Sequence, residues 1–247
     1  MIYATAAFYL FLFFFRHGIG PALFYAHFYG NNAYLPHKNQ KSFPSPEQTA
    51  REKRWAWASS LVDITLVALS VALYYAGFTK IYWDFSVYGL GYSILTLLIL
   101  TFAQDIYFYL THRWMHWAPF YQRVHYLHHT AKNPTPWSAF CVHPAEKLLE
   151  LLFFPLALVL MPLHPLFLGV FLLLSTLINL FGHTGFELNP LRIENRGMLG
   201  LGSTPTFHNM HHQFVRCNYS LYFSYLDKLF GTEHAEYTET LASLTKR

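Results

Sequence analysis

The sequence predicts an all-α fold: a polytopic transmembrane helix bundle whose histidine-rich segments gather as a cap on one membrane face. Three observations carry this expectation. Of the 247 residues, 53% are hydrophobic, 19% aromatic and only 12% charged, about half the charged share of an ordinary soluble domain. Long apolar runs such as "SILTLLILTFA" and "LLELLFFPLALVL" recur in separate places, as in chains that cross a bilayer several times. Most of the 17 Lys and Arg residues lie in three segments that can share one side. No internal repeat or low-complexity tract divides the chain, so residues 1–247 read as a single membrane-embedded domain.

Taken in order, apolar spans are expected near residues 3–28, 55–78, 89–111, 148–162 and 165–183. The first follows Met1 without a basic leader or a small-residue cleavage site, so it reads as a retained span rather than a secretory signal. Arg16 and His17 fall in its middle, which predicts a break or a face turned to a neighbouring helix or cavity. Asp63, inside the second span, is expected to bond to a neighbouring helix, with Arg16 as one candidate. Between these spans "LPHKNQKSFPSPEQTAREKR" is polar and proline-bearing, a loop that ends in a helix start near Ser45 or Glu47. The last two spans are short and turn at "MPLHPL" as a hairpin. If the loop 29–54, the stretch 112–147 and the tail after 183 share one side, that side holds five, four and six Lys or Arg, and the opposite side only Lys80. The positive-inside rule then places the C-terminus and the histidine-rich segments on the cytoplasmic face. Cys141 and Cys217 are too few for a disulfide framework and match no metal-finger spacing.

Eight histidines stand in three short runs: "HRWMH" at 112–116, "HYLHH" at 125–129 and "HNMHH" at 208–212. Residues three or four apart share one helix face, so His112 with His116, His125 with His128 and His129, and His208 with His211 and His212 can each aim imidazoles at a common point. Neutral imidazole is the commonest nitrogen ligand for transition metals, and the chain lacks the cysteines of a thiolate site. About four ligands satisfy one zinc or copper ion, so eight suggest two ions. A single HxxxH is weak evidence; three runs on one face are much stronger. No HExxH motif is present, which argues against a thermolysin-like site.

The three runs resemble the HxxxH, HxxHH and HxxHH boxes of the fatty acid hydroxylase and sterol desaturase superfamily, integral membrane enzymes with a histidine-bound di-iron centre. "DIYFYLTHR" is similar to the family's approach to the first box, "TPWSAFCVHPAE" to the segment after the second, and "FHNMHHQFVRCNYSLYFSYLDKLFGT" to the last box and its sequel. The likeness covers about residues 100–232, which it marks as the catalytic core. It implies nine metal ligands: His112, His116, His125, His128, His129, His208, His211, His212 and a further histidine where the last membrane helix re-emerges, His183 in "NLFGH". The family often carries Asn or His four residues before it; Asn179 stands there and is placed beside the ligands rather than among them. His143 of "HPAE" is expected to support the ligands or to start a helix. Asp105, seven residues before His112 on nearly the same helical stripe, is expected to accept the second N–H of a ligating imidazole. His17, His27, His37, His164 and His234 match nothing in the family.

The resemblance implies two iron ions, with zinc able to take their place, O2 as co-substrate, and hydroxylation or desaturation of a C–H bond of a lipid of sterol or fatty acyl type. The surroundings of the last box lean towards the sterol desaturase branch. With no dinucleotide-binding glycine fingerprint and no HPGG haem motif, electrons must come from a separate donor such as a cytochrome b5 or ferredoxin. Arg113, Arg123, Lys132, Arg192, Arg196 and Arg216 are the cations available for docking it. No nucleic-acid partner is expected. The competing reading, a metal transporter or metal-binding membrane protein without redox chemistry, would set its polar residues along the spans near mid-membrane; here the histidines cluster at one surface.

Overall fold

A computed structural model describes residues 2–188 and 202–245. Helix α1 (Ile2–Phe14) passes through a wide π turn (Phe15–Ile19) into α2 (Gly20–Tyr29). Next come α3 (Pro46–Tyr75), α4 (Gly89–Met115), a second π turn (Tyr121–His125) continued by α5 (Tyr126–His129), then α6 (Pro144–Leu151), α7 (Phe153–Leu160) and α8 (Pro165–Gly182). Beyond the undescribed segment lie α9 (Pro205–Phe214), α10 (Tyr225–Leu229) and α11 (Tyr237–Thr245). Among the described residues no strand forms; pairing is limited to isolated bridges such as Lys38 with Phe186.

Among the described residues four helices are long and apolar enough to cross a membrane: Tyr3–Tyr29, Pro46–Tyr75, Gly89–Met115 and Pro165–Gly182. Their outer faces carry side chains that water would reject. Leu61 and Val67 on α3, and Leu98 and Leu110 on α4, are each more than half exposed. Uninterrupted apolar surface of this kind belongs in lipid, and it marks an integral membrane protein. The expected span at 148–162 is corrected: the helix breaks at Leu152 into α6 and α7, of 8 residues each, and neither is long enough to cross. Proline explains part of this, since Pro155 cannot supply a backbone donor to the turn before it.

The second span lies in a helix that begins at Pro46, where the sequence reading put a helix start, well before the apolar stretch near 55. Ser45 caps it, its hydroxyl accepting from Gln48 N–H at 3.1 Å, and Pro46 stands where a missing N–H costs nothing. The extra turns rise beyond the apolar region and hold the segment around residue 135. There Glu52 accepts from Thr135 Oγ1 at 2.5 Å and Gln48 Nε2 donates to Asn133 O at 2.9 Å.

The ends of the bundle are distinct. At one, Lys80 N–H donates to Leu158 O at 2.9 Å and Tyr82 N–H to Leu163 O at 3.3 Å, so the turn after α3 meets the turn before α8. At the other, Gln40 Nε2 donates to Pro134 O at 2.6 Å and Asn39 N–H to Gly185 O at 3.0 Å, bringing together the three segments that carry most of the basic residues. Gly185 has φ +79° and its Cα lies against the Gln40 amide, so a side chain there would be both strained and obstructed. Between the two ends α4, α7 and α8 share a core of Leu100, Phe153, Leu158, Leu163 and Phe171.

Arg16 and His17 are explained by the π turn. Pro21 has no N–H to give His17 O, and the chain widens, Gly20 N–H bonding instead to Phe15 O. The widened turn presents both residues to Asp63: Arg16 Nε lies 3.7 Å and His17 Nε2 3.4 Å from Oδ1. Lys147 Nζ of α6 lies 3.5 Å from Oδ2. The sequence reading counted Lys147 only among the four Lys and Arg of the stretch 112–147; in the structure it is 1% exposed. Removing the carboxylate leaves buried cations unpaired, a change that costs about 3–5 kcal/mol. Asp63→Leu should therefore lower detergent-solubilised thermal stability by that order, and adding Lys147→Met should restore much of the loss. Additive losses in the double variant would show that the pair does not act as a unit.

Candidate metal centre

The nine expected histidines fall into two compact groups. His112, His116, His125, His129 and His211 offer one set of ligand atoms; His128, His183, His208 and His212 offer another, and within each set the atoms lie within 4.8 Å of one another. The helices explain the division. The i, i+4 pairs 112/116, 125/129 and 208/212 each serve one group, because four residues return nearly to the same face. The i+3 members, His128 and His211, cross to the other group. The expectation that each HxxHH run aims at a common point is thereby corrected: adjacent histidines on a helix diverge by about 100°, so each run spans both groups.

Supporting bonds set which nitrogen each ring offers. His112 Nδ1 donates to Tyr219 O at 2.7 Å, His211 Nδ1 to Cys217 O at 2.6 Å, and His183 Nδ1 to Asn179 O at 2.8 Å. His125 Nδ1 lies 2.7 Å from Glu146 Oε1. With Nδ1–H committed, the Nε2 of each of these neutral rings is a lone pair. Yet His112 Nε2 and His125 Nε2 stand 3.0 Å apart, and His125 Nε2 is also 3.0 Å from His129 Nε2. In the second group His208 Nε2 lies 2.9 Å from His183 Nε2 and 3.0 Å from His212 Nε2. His211 Nε2 is buried with no hydrogen-bond partner. The facing lone pairs of His112 and His125, so close, repel unless a cation lies between them. Two nitrogens about 2.1 Å from one ion and at right angles to each other would be about 3.0 Å apart, so both groups fit a metal ion.

Burial reinforces that fit. His125, His128, His129, His208, His211 and His212 are all held well below the ordinary imidazole pKa, first by desolvation and then by one another's charge. His183 is pushed down to about 4 by burial. Neutral rings are the form that binds metal.

The remaining expected residues lie near the groups but do not join them. Asp105 does not reach an imidazole: Oδ1 accepts from Tyr222 N–H at 2.8 Å and Phe223 N–H at 3.3 Å. It anchors the segment whose Tyr219 carbonyl orients His112, so its link to the site runs through the backbone. His143 caps α6, Nδ1 accepting from Ala145 N–H at 3.2 Å. Asn179 contributes its backbone carbonyl to His183, while its amide donates to Ala139 O at 3.4 Å. His164 caps α8 at the opposite end.

Sequence reasoning overlooked Glu146, 1% exposed, although "HPAE" had been singled out. Its signal was a carboxylate in the first turn of a helix that packs under the second box, and only the tertiary fold shows that proximity. It also overlooked the turn after α9. Val215 has φ 69° and ψ −43°, and Arg216 N–H donates to Phe214 O at 2.8 Å, a strained γ-turn. That turn brings Cys217 O back to His211.

Residues 97–232, more than half of the chain, match the family model described as fatty acid hydroxylase. The chain belongs to the fatty acid hydroxylase family. It is similar to a Delta(7)-sterol 5(6)-desaturase of Gibberella zeae, 26% identical over 166 residues, covering 66% of this chain and 49% of that protein. It is also similar to the lathosterol oxidase of Homo sapiens, 29% identical over 178 residues, with 70% and 56% covered. A very-long-chain aldehyde decarbonylase of Oryza sativa subsp. japonica is 29% identical over 207 residues, with 75% and 32% covered. The chain spans about half the length, or less, of these curated relatives. No solved structure matches it. All nine histidines fall within the stretch matched to the family.

Two outcomes follow from this geometry. Glu146→Ala should weaken metal binding by about 10- to 100-fold, as loss of a carboxylate behind a ligating imidazole does, with Glu146→Gln losing less; equal affinity in a metal titration would free His125 from this dependence. The metal-free protein should lose stability with acid. A histidine held below its ordinary value binds fewer protons folded than unfolded, so its contribution is complete above about 6.5 and for His183 is lost as pH falls toward about 4. Thermal unfolding of chelator-treated protein should thus shift down between pH 7.5 and pH 5, and an unchanged midpoint would contradict neutral burial.

Proposed function

We propose that this protein is an integral membrane di-iron oxidoreductase that uses O2 and external electrons to hydroxylate or desaturate a C–H bond of a lipid. The observation that carries this reading is the pair of histidine groups, five and four residues, with the ring nitrogens converging within each. Iron bound there would supply the oxidant for an unactivated C–H bond, which no protein side chain can attack. The printed names of the relatives, a sterol desaturase, a lathosterol oxidase and an aldehyde decarbonylase, support lipid oxidation. Residues 100–232 would form the catalytic core.

The chain's own residues would do the rest. The nine histidines hold the ions, and the Tyr219, Cys217 and Asn179 carbonyls with Glu146 fix ring orientation. Beside them opens a cavity of about 570 Å3, whose wall includes His112, His128, His208, Phe108, Leu177 and Phe181. Its volume suits a lipid chain or ring system, and its apolar walls would exclude water during reaction. The positive-inside rule supports a cytoplasmic location for the histidine end, in a bacterial inner membrane or the endoplasmic reticulum. Arg113, Arg123, Lys132 and Arg216 are exposed around that end, and Lys132 Nζ donates to His212 O at 3.3 Å. These cations suit an acidic electron donor such as a cytochrome b5 or ferredoxin. Arg192 and Arg196 lie outside the described residues.

The decisive test combines metal analysis with lipid products. Purified active protein should hold about two iron atoms per chain, since nine imidazoles exceed the needs of one ion. Lipid extracts of cells carrying it should gain a species heavier by one oxygen or lighter by two hydrogens. His183→Ala and His128→Ala should each abolish turnover and lower bound metal, both belonging to the same group, while His164→Ala should keep full metal content. Near-normal activity in His183→Ala would remove that residue from the ligand set.

A further inference from the structure

The cavity beside the histidines is not apolar throughout. Gln104, Ser175 and Tyr222 share its wall and bond to one another: Tyr222 Oη donates to Gln104 Oε1 at 2.5 Å and lies 2.7 Å from Ser175 Oγ. Two helices place this cluster independently. Gln104 precedes His112 by eight residues on α4, and Ser175 precedes His183 by eight on α8. On each helix about 12 Å therefore separates the cluster's level from that of the histidines. Ser220 stands between the two levels, in the segment that runs from Tyr219, which holds His112, to Tyr222. It lines the cavity, is 2% exposed, and its Oγ has no hydrogen-bond partner. A buried hydroxyl without a partner costs free energy unless a ligand or water satisfies it.

The charges in this wall select what kind of polar group fits. Arg16 and Glu150 both line the cavity, with Arg16 and Lys147 already facing Asp63 at 3.7 and 3.5 Å. Asp63 answers both cations, and Glu150 adds a second carboxyl to the wall, where burial pushes it up to about 7 even beside them. An anionic headgroup would add an uncompensated charge at membrane depth, which is costly; a neutral hydroxyl would not, and it can both donate to and accept from Ser220 and the Tyr222 cluster.

We propose that Ser220, Tyr222, Gln104 and Ser175 form a recognition site for a neutral hydroxyl on the lipid, which fixes which distant carbon lies beside the histidines. This inference rests on the lipid oxidoreductase reading for its purpose, though hydroxyl binding can be measured without turnover. The carbon presented to the histidines is then many bonds from the hydroxyl, and the same wall discriminates against fatty acids in favour of alcohols.

The test uses purified, metal-loaded protein in detergent and saturation binding of radiolabelled probes. Cholesterol is compared with cholestane, 1-hexadecanol with hexadecane, and 1-hexadecanol with palmitate. In at least one pair the alcohol should bind about tenfold more tightly than its hydrocarbon, the usual scale for satisfying a buried polar group; the pair that responds identifies a ring system or a straight chain as the body. Tyr222→Phe or Ser220→Ala, at unchanged metal content, should reduce that preference severalfold. Alcohol and hydrocarbon binding alike in wild type, no binding of any probe, palmitate binding more tightly than hexadecanol, or an unchanged preference in both variants would each overturn the proposal. The wild-type comparison needs no variant to fold. Protein that keeps the preference but forms no oxidised lipid defeats the oxidoreductase reading alone; protein that turns over lipid without the preference defeats this inference alone.

Discussion

Nine imidazoles share one end of this bundle, and several of their facing nitrogens lie about 3.0 Å apart. His112 and His125 show the constraint most directly. Each gives its Nδ1–H outward, to Tyr219 O and Glu146, and each turns a lone pair toward the other at 3.0 Å. Such an arrangement is favourable only around cations. Much of the surrounding structure serves to hold the rings in it: the γ-turn at Val215, the carboxylate clamp of Asp105 on Tyr222, and the docking of Gln40 and Gln48 against the loop near Pro134 and Asn133.

The spacing of the boxes follows from the same constraint. A helix offers one ion an i, i+4 pair, and a single further histidine at i+3 faces away by enough to serve a neighbouring ion. His125, His128 and His129 divide two to one in this way, and His208, His211 and His212 divide in the opposite sense. Each HxxHH run therefore ties the two groups together, so that neither can shift without the other. His112 and His116 complete the first group and His183 the second, which gives five and four.

Buried charge recurs within the bundle in a different role. Arg16, His17 and Lys147 converge on Asp63, joining the π turn, α3 and α6 in a region where water does not compete. One carboxylate thus answers the cations that adjoin the cavity. The π turn that makes this possible lies just before Pro21, which has no backbone N–H to give to the turn behind it.

Periodicity and composition were enough to determine the helical class, the membrane setting, the turning of Arg16 toward a neighbouring helix, the helix start at Ser45 and the gathering of histidines at one end, because each follows from local pattern: apolar length, charge bias, proline position, i, i+4 recurrence. His183 was legible only through family likeness, since an isolated histidine at a helix end carries no local signal. Other features depended on how distant segments meet. Leu152 ends α6 where hydropathy alone continues, Lys147 turns inward to Asp63 rather than to solvent, and Asp105 clamps a backbone rather than an imidazole. Glu146 finds His125 across 21 positions of sequence. The division of nine histidines into two groups was also decided in three dimensions, because a sequence shows which side chains share a helix face but not where another helix places the partners they point toward.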